Sequence, residues 1–411
     1  MRSSKSFLLA VATLMVLMAP FAFGTGETEE SGTDASGRAA DTVYNESPLL
    51  AARVLSGDLP NVDERLPSNP FVREVAMEIG DYGGTIRQSS PLWQGYYQMF
   101  FAGGEMTLFQ IPMDLNDYVA GGGPIAGFEP KYVEYYKWID GGNTVEVRIR
   151  DGAKWSDGHP LTAEDIIFPF EEMYTNPGYT QRMISLLTSF NGERFKVTKV
   201  DDLTVRFTAN GPWAGQIRET FEGYPKPAHF LKKFHPEFTD GKTWDDLRAA
   251  QSFIKTPELP MVWGWIPLEL NEGQGSLWER NPYYPVVDTE GNQLPYADYV
   301  RYTYVPDAEA RYLAIMQGDV DVCAHDCGDL NKRAVLMRNA DRGNYDVLIW
   351  RGSRQASMLS WRYPAGQEDA GFKEAAMHKQ FRQALSIGMD RQEVNEKVFA
   401  GLAVPSVSGV S

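Results

Sequence analysis

The chain has 411 residues, 43% of them hydrophobic and 23% charged, with a formal charge of −16 at neutral pH. That length suits about two or three domains with sizeable cores. The acidic balance excludes a nucleic-acid surface, which needs clustered Lys and Arg to neutralise phosphate.

The N-terminus reads as a targeting segment. Arg2 and Lys5 form a basic start, and Phe7–Ala19 is apolar apart from Thr13. Ala22-Phe23-Gly24 offers the small residues that signal peptidase requires, so residues 1–24 are expected to be a signal peptide cleaved after Gly24. The apolar run is short for a membrane span. Residues 25–41 are polar and acidic and read as a flexible leader. Residues 42–82 carry helical fragments broken by Pro60, Pro67 and Pro70, as a packed but irregular N-terminal extension. Gly83–Arg87 (GGTIR) then begins a strand, followed closely by Trp93, Tyr96, Tyr97, Phe100 and Phe101. Tyr132–Ile139 and Thr144–Arg150 suggest a hairpin turning through Asp140-Gly141-Gly142.

The stretch Thr144–Tyr174 is the most informative. Val145, Val147 and Ile149 alternate with Glu146, Arg148 and Arg150, the pattern of a half-buried strand with its charges on the open face. Asp151-Gly152 and Asp157-Gly158 supply turns. Thr162 is placed to cap a helix with Asp165 at its third position, and Glu164 and Asp165 suit the helix dipole. Ile166, Ile167, Phe170 and Met173 form the buried stripe, which Pro169 is expected to bend. The run Val147–Glu171, VRIRDGAKWSDGHPLTAEDIIFPFE, resembles the signature of the extracellular solute-binding proteins of family 5. These are the peptide- and oligopeptide-binding subunits of ABC importers, with relatives that bind nickel or oligosaccharides.

The later text keeps the order of that family. Phe195–Val200 and Leu203–Thr208 flank Asp201-Asp202 as a second hairpin, and Ala214–Glu222 reads as a helix. Pro225–Phe238 resembles the family's segment containing PKH, with Pro227-Ala228 inserted before His229. His229 and His235 share no helical face and suit surface or capping roles better than a metal pair. Arg280–Tyr284 (RNPYY) and Gly291–Tyr296 (GNQLPY) are specific to the resemblance, and Tyr299–Val305 alternates as a strand. Asp307 can cap a helix ended by Gly318, with Asp319–Val322 as a short buried strand. Tyr345–Trp350 reads as another strand, and Phe381–Ser406 resembles the family consensus, with Asp390 as cap, Glu393 three residues on and Gly401 at the end.

The resemblance implies an α/β, periplasmic-binding-protein-like fold of type II, in two lobes with mixed β-sheets. It places a first lobe at residues 83–331, with an inserted subdomain at about 100–194, and the start of a second lobe at 332–411. Family members continue well past FRQALS, so the chain reads as C-terminally truncated, with the second lobe and the far wall of its cleft incomplete. In the family the loop after GGTIR lies near the ligand, which makes Trp93, Tyr96 and Tyr97 candidate cleft residues. Trp350, Arg351 and Trp361 join them, because α/β folds present ligand loops at strand ends. Each of these side chains could equally be core or surface.

The function this implies is capture of a peptide or oligopeptide in the periplasm and delivery to permease subunits in the inner membrane. An oligosaccharide is the alternative ligand, and an exported glycan hydrolase is a more distant one. The resemblance further implies a monomer without cofactor or bound metal. Many relatives carry a lipid on a cysteine just after the signal, whereas this chain has only Cys323 and Cys327, so a soluble product is expected. Those two thiols could form a disulfide, stay free, or with His325 and Asp326 hold a metal. No GxxxxGK[ST], GxSxG, HExxH or EF-hand text is present, and no acid/base pair of carboxylates can be chosen.

Overall fold

The computed structural model describes residues 43–75, 78–93, 131–179, 194–211, 225–323, 329–348 and 369–402. The N-terminal extension holds helices α1 (Pro48–Leu55) and α2 (Val62–Arg65) and a short strand β1 (Phe71–Arg73). Pro48 opens α1 behind Ser47, whose hydroxyl accepts from the Leu50 amide at 3.3 Å. Arg65 is fully buried and donates to the Pro60 carbonyl and the Gln293 side chain, each at 3.1 Å, with further short contacts to Glu46 and the Pro282 carbonyl. A buried cation therefore ties these first elements to the later segments around Pro282 and Gln293.

The strands that follow are β2 (Thr85–Ser90), β3 (Val133–Ile139) and β4 (Thr144–Ile149), then β5 (Lys196–Lys199) and β6 (Thr204–Thr208). After them come β7 (Trp265–Asn271), β8 (Gly275–Arg280), β9 (Val286–Asp288) and β10 (Tyr299–Tyr304). They form two four-stranded sheets, β2-β10-β8-β7 and β3-β4-β6-β5, with β1 paired to β9. The first sheet is mixed: β2 runs parallel to β10, while β10, β8 and β7 are antiparallel. Gly275 opens β8 with φ +143, and a side chain there would run into the Tyr302 carbonyl of β10. The second sheet contains both expected hairpins, β3–β4 around Asp140–Gly142 and β5–β6 around Asp201-Asp202.

Within β4 the expected half-burial fails. Val145, Val147 and Ile149 are fully buried as predicted, but Glu146 on the other face is buried too. Its carboxylate accepts from Lys137 at 2.8 Å, from Arg206 at 2.7 Å and from the Tyr135 hydroxyl at 3.1 Å. Burial alone would push this carboxyl up, yet those donors outweigh it and hold its pKa below the ordinary value.

Helix α3 (Glu164–Phe168) follows, and at Pro169 it changes to a π-helical turn, Pro169–Tyr174, so the proline alters the helix where expected. Only half of the expected capping box forms. Asp165 accepts from the Thr162 amide at 2.9 Å but also from Trp155 Nε1 at 3.2 Å and the Ala228 amide at 2.9 Å. It is thus the buried hub joining the KWSDG turn, α3 and the start of α4 (Ala228–Leu231). Burial raises its pKa despite the three donors.

His229 pairs with Asp157 at 2.8 Å and stacks on His159 with ring centres 3.8 Å apart. His235 was expected at the surface or as a cap. It is instead fully buried, packed on Phe168, Phe238 and Trp244, with Nε2 on the Glu172 carbonyl at 3.1 Å. The helix expected at Ala214–Glu222 lies outside the described residues.

Helix α5 (Trp244–Ala250) has a full capping box from Thr243 and Asp246. RNPYY and GNQLPY interlock: the buried Gln293 amide donates to the carbonyls of Pro282 at 3.0 Å and Tyr284 at 3.1 Å. The buried Arg280 donates to the Gln293 carbonyl at 3.0 Å. Asp307 caps α6 (Ala308–Gln317), accepting from Ala310 at 2.8 Å, and Gly318 ends it with φ +78, as the sequence requires. Asp319–Val322 is not the expected strand; only Asp321 bonds β2, from its amide to the Arg87 carbonyl at 2.9 Å. Helix α7 (Arg333–Gly343) packs on α6. The described part of the strand expected at Tyr345–Trp350, residues 345–348, forms no strand and pairs with none among the described residues. Helices α8 (Ala370–Met377), α9 (Lys379–Gly388) and α10 (Arg391–Val398) follow, the last capped by Asp390 as expected.

Replacing Asp165 by Asn puts an amide donor against donors already present and should destabilise the protein by about 1–3 kcal/mol. A urea-unfolding midpoint equal to that of the unchanged protein would show that the hub is dispensable.

Candidate binding site

Because β2 and β10 are parallel, their carboxyl ends, Ser90 and Tyr304, emerge at one edge of the sheet. In α/β sheets that edge is where ligands are held. The Val305 amide extends the pair by donating to the Ser90 carbonyl at 2.7 Å. The Ser90 hydroxyl donates to the Leu92 carbonyl at 2.7 Å and accepts from the Leu92 amide at 3.0 Å, pinning the turn that carries Trp93. Trp93 is half-buried just beyond it.

Gln88, Ser89 and Tyr302 are all buried, yet Gln88 Nε2, Ser89 Oγ and the Tyr302 hydroxyl have no hydrogen-bond partner among the described residues. Burial pushes the Tyr302 hydroxyl far above the ordinary tyrosine range, so it keeps its proton. A group left in that state costs about 1–3 kcal/mol. Amides and hydroxyls of this kind pair with the uncharged amide or hydroxyl groups of a solute, and a ring such as Trp93 offers an apolar face.

A second opening, an exposed groove of about 520 Å³, is lined by Arg53, Leu59, Asp157, Leu268, Glu279 and Tyr283 among others. Its charged groups are already engaged, Arg53 by Glu279 at 2.7 Å, Asp157 by His229 and Asp58 by the Ser56 hydroxyl at 2.7 Å, and Trp93 does not line it. The strand ends are the better site.

Of the side chains singled out from the sequence, Trp93 is placed at this edge, whereas Tyr96, Tyr97, Trp350, Arg351 and Trp361 lie outside the described residues. Cys323 is disulfide-bonded, and Cys327, the chain's other cysteine, also lies outside them. Among the described residues no group of three or more His, Cys, Asp or Glu is arranged to hold a metal ion. Sequence reasoning missed Gln88, Ser89, Ser90 and Tyr302. Their one signal was a strand that turns from apolar to polar (TIRQSS) just before an aromatic run.

It also missed Arg87 and Asp321. The Asp321 carboxylate accepts from the Arg87 amide at 2.7 Å, from Nε at 3.1 Å and from Nη2 at 2.5 Å. Burial would raise this carboxyl, but the Arg87 hydrogen bonds outweigh it and its pKa ends below the ordinary value. A carboxyl depressed on folding contributes stability above its unfolded pKa and loses it as pH falls through the folded value. With Asp321 about a third exposed, the contribution should stay below about 1 kcal/mol. The stability gap between the native protein and Asp321→Asn should therefore shrink between about pH 7 and about pH 3. A gap that widens on acidification would contradict the assigned shift.

The sequence profile of the bacterial extracellular solute-binding proteins, family 5 Middle, matches residues 127–411. The chain belongs to this family. Among curated relatives, the periplasmic alpha-galactoside-binding protein of Rhizobium meliloti (strain 1021) is 26% identical over 371 residues, which is 85% of this chain and 52% of the relative. The oligopeptide-binding protein AppA of Bacillus subtilis (strain 168) is 24% identical over 65% of this chain and 43% of its own. Among solved structures, that of the oligopeptide-binding protein OppA superposes with a TM-score of 0.65 and 30% identity, covering 89% of this chain and 58% of OppA. The binding protein MelB of Agrobacterium fabrum C58, solved with stachyose, gives a TM-score of 0.66 at 22% identity, covering 88% of this chain and 56% of MelB. The fold is thus the two-lobe α/β architecture of periplasmic binding proteins, with mixed sheets. The chain spans about half the length of the curated relatives it matches. Family 5 is a family of binding proteins.

Proposed function

We propose that this chain is the solute-binding component of an ABC importer that captures a peptide or oligopeptide in the periplasm. The reading rests on the β2/β10 edge, where two parallel strand ends and the half-buried Trp93 emerge beside unpartnered buried polar groups, in a chain 30% identical to an oligopeptide-binding protein. Peptide groups are uncharged and carry one donor and one acceptor each, so they match such an edge whatever their side chains. Trp93 is the aromatic anchor, and Tyr96, Tyr97, Trp350, Arg351 and Trp361 are further contacts this reading assigns. The lobes, at residues 83–331 and from 332 on, close by population shift, since a solute touching both favours the closed state. Residues 1–24 direct export, and the closed monomer is what the permease receives.

An oligosaccharide is the second reading. The relative matched over 85% of this chain is named for alpha-galactoside binding, and hydroxyl-rich solutes also suit neutral donors beside an indole.

Both readings are tested by mass spectrometry of the solute released when the protein, purified from periplasm, is denatured. A peptide supports the first, a saccharide replaces it with the second, and a product formed by turnover of added peptide or glycan overturns both. Trp93→Ala should weaken titration of the recovered solute roughly tenfold, the loss of about 1.4 kcal/mol expected of an aromatic anchor. Unchanged affinity would remove Trp93 from the site.

A further inference from the structure

Helices α6 and α7 form a core of their own. Tyr312, Ile315, Val320 and Leu336 are buried against one another, with Tyr345 and Val347 packed on them, and none of them belongs to the large cluster that fills the two sheets. The helix ends approach closely: a Cβ on Gly318 would lie 2.7 Å from the Gly343 carbonyl oxygen. Lys332 pairs with Glu309 at 2.5 Å, and the Asp329 amide donates to the Tyr312 hydroxyl at 3.3 Å. The pair is therefore a packed unit of its own.

Among the described residues, two polar ties join this unit to the sheet. One is the joint from β10, where Arg311 Nη1 donates to the Val305 and Pro306 carbonyls at 2.8 and 2.9 Å. The other is Arg87 with Asp321. β2 is an edge strand among the described residues, and the outward amide and carbonyl of Arg87 are both taken by Asp321. The Arg87 guanidinium grips the same carboxylate and also donates to the Gly318 carbonyl at 3.0 Å. Both side chains are partly exposed, so salt can screen this second tie.

We propose that α6–α7 is a module that turns about Val305–Asp307, and that Arg87–Asp321 is the latch that holds it on the edge of β2. The latch sets the angle at which the chain beyond Asp321 leaves the first sheet. In a two-lobe binder that angle biases the open–closed equilibrium, and only this last step rests on the proposed function.

The test is a distance between nitroxide spin labels on cysteines introduced at the exposed Leu268 of β7 and Met337 of α7, measured by pulsed electron resonance without solute. The native protein should give one narrow distribution at low salt. Arg87→Ala and Asp321→Ala should broaden it or shift its mean by about 5 Å or more, the scale of one helical turn. Arg87→Lys, which keeps the charge but loses the fork, should fall between. About 1 M salt on the native protein should act like the Ala variants, a readout that needs no variant to fold. Distributions unchanged in both Ala variants and in salt would overturn the latch. Because no solute is present, that failure is separate from failure of the binding reading, which mass spectrometry decides.

Discussion

The parallel pairing of β2 with β10 is the constraint from which the rest follows. It joins Thr85–Ser90 to Tyr299–Tyr304, two stretches far apart in the chain, and everything between must close on itself for that register to form. Closing so long a loop costs entropy before any contact repays it. The repayment comes from burial of Val300 and Tyr302 and from the antiparallel partners β8 and β7 on the far side of β10. The same pairing sends two strand ends and the Trp93 turn out at one edge, and it leaves the outer side of β2 for Asp321 to cover.

A few buried polar hubs fix how the other segments meet. Asp165 ties the KWSDG turn to α3 and α4, while Gln293, Arg280 and Arg65 knot RNPYY, GNQLPY and the N-terminal extension together. Such groups cost desolvation and tolerate few arrangements, so they specify geometry more than they add stability. The most recognisable text in the sequence is thus a set of structural ties. Those residues hold the scaffold, whereas the edge proposed for the solute is bordered by ordinary Gln, Ser and Tyr side chains.

That division also decides what the sequence could reveal. Local signals were legible: the hairpins around Asp140–Gly142 and Asp201-Asp202, the Asp307 and Asp390 caps, and the Gly318 stop each rest on residues a few positions apart. Long-range outcomes were not. Glu146 sits on the face that alternation assigns to solvent, and Arg206, Lys137 and Tyr135 from neighbouring strands make its burial tolerable. His235 looked like a surface histidine because the rings that enclose it come from elements on either side of it in sequence. At Asp319–Val322, read as a short buried strand, one backbone bond and a carboxylate clamp on Arg87 replace the ladder. At the site, Trp93 could be named from its place after GGTIR, whereas Tyr302 needed the β10 pairing to become relevant.

The central claim is that the carboxyl ends of β2 and β10 form the surface on which a solute rests. Amide hydrogen exchange with and without the solute recovered from the purified protein tests it directly, because binding slows exchange where solute and backbone meet. The account predicts added protection at Ser90–Trp93 and at Tyr304–Val305. Protection that appears only around the Arg53–Glu279 groove, with those strand ends unchanged, would contradict it.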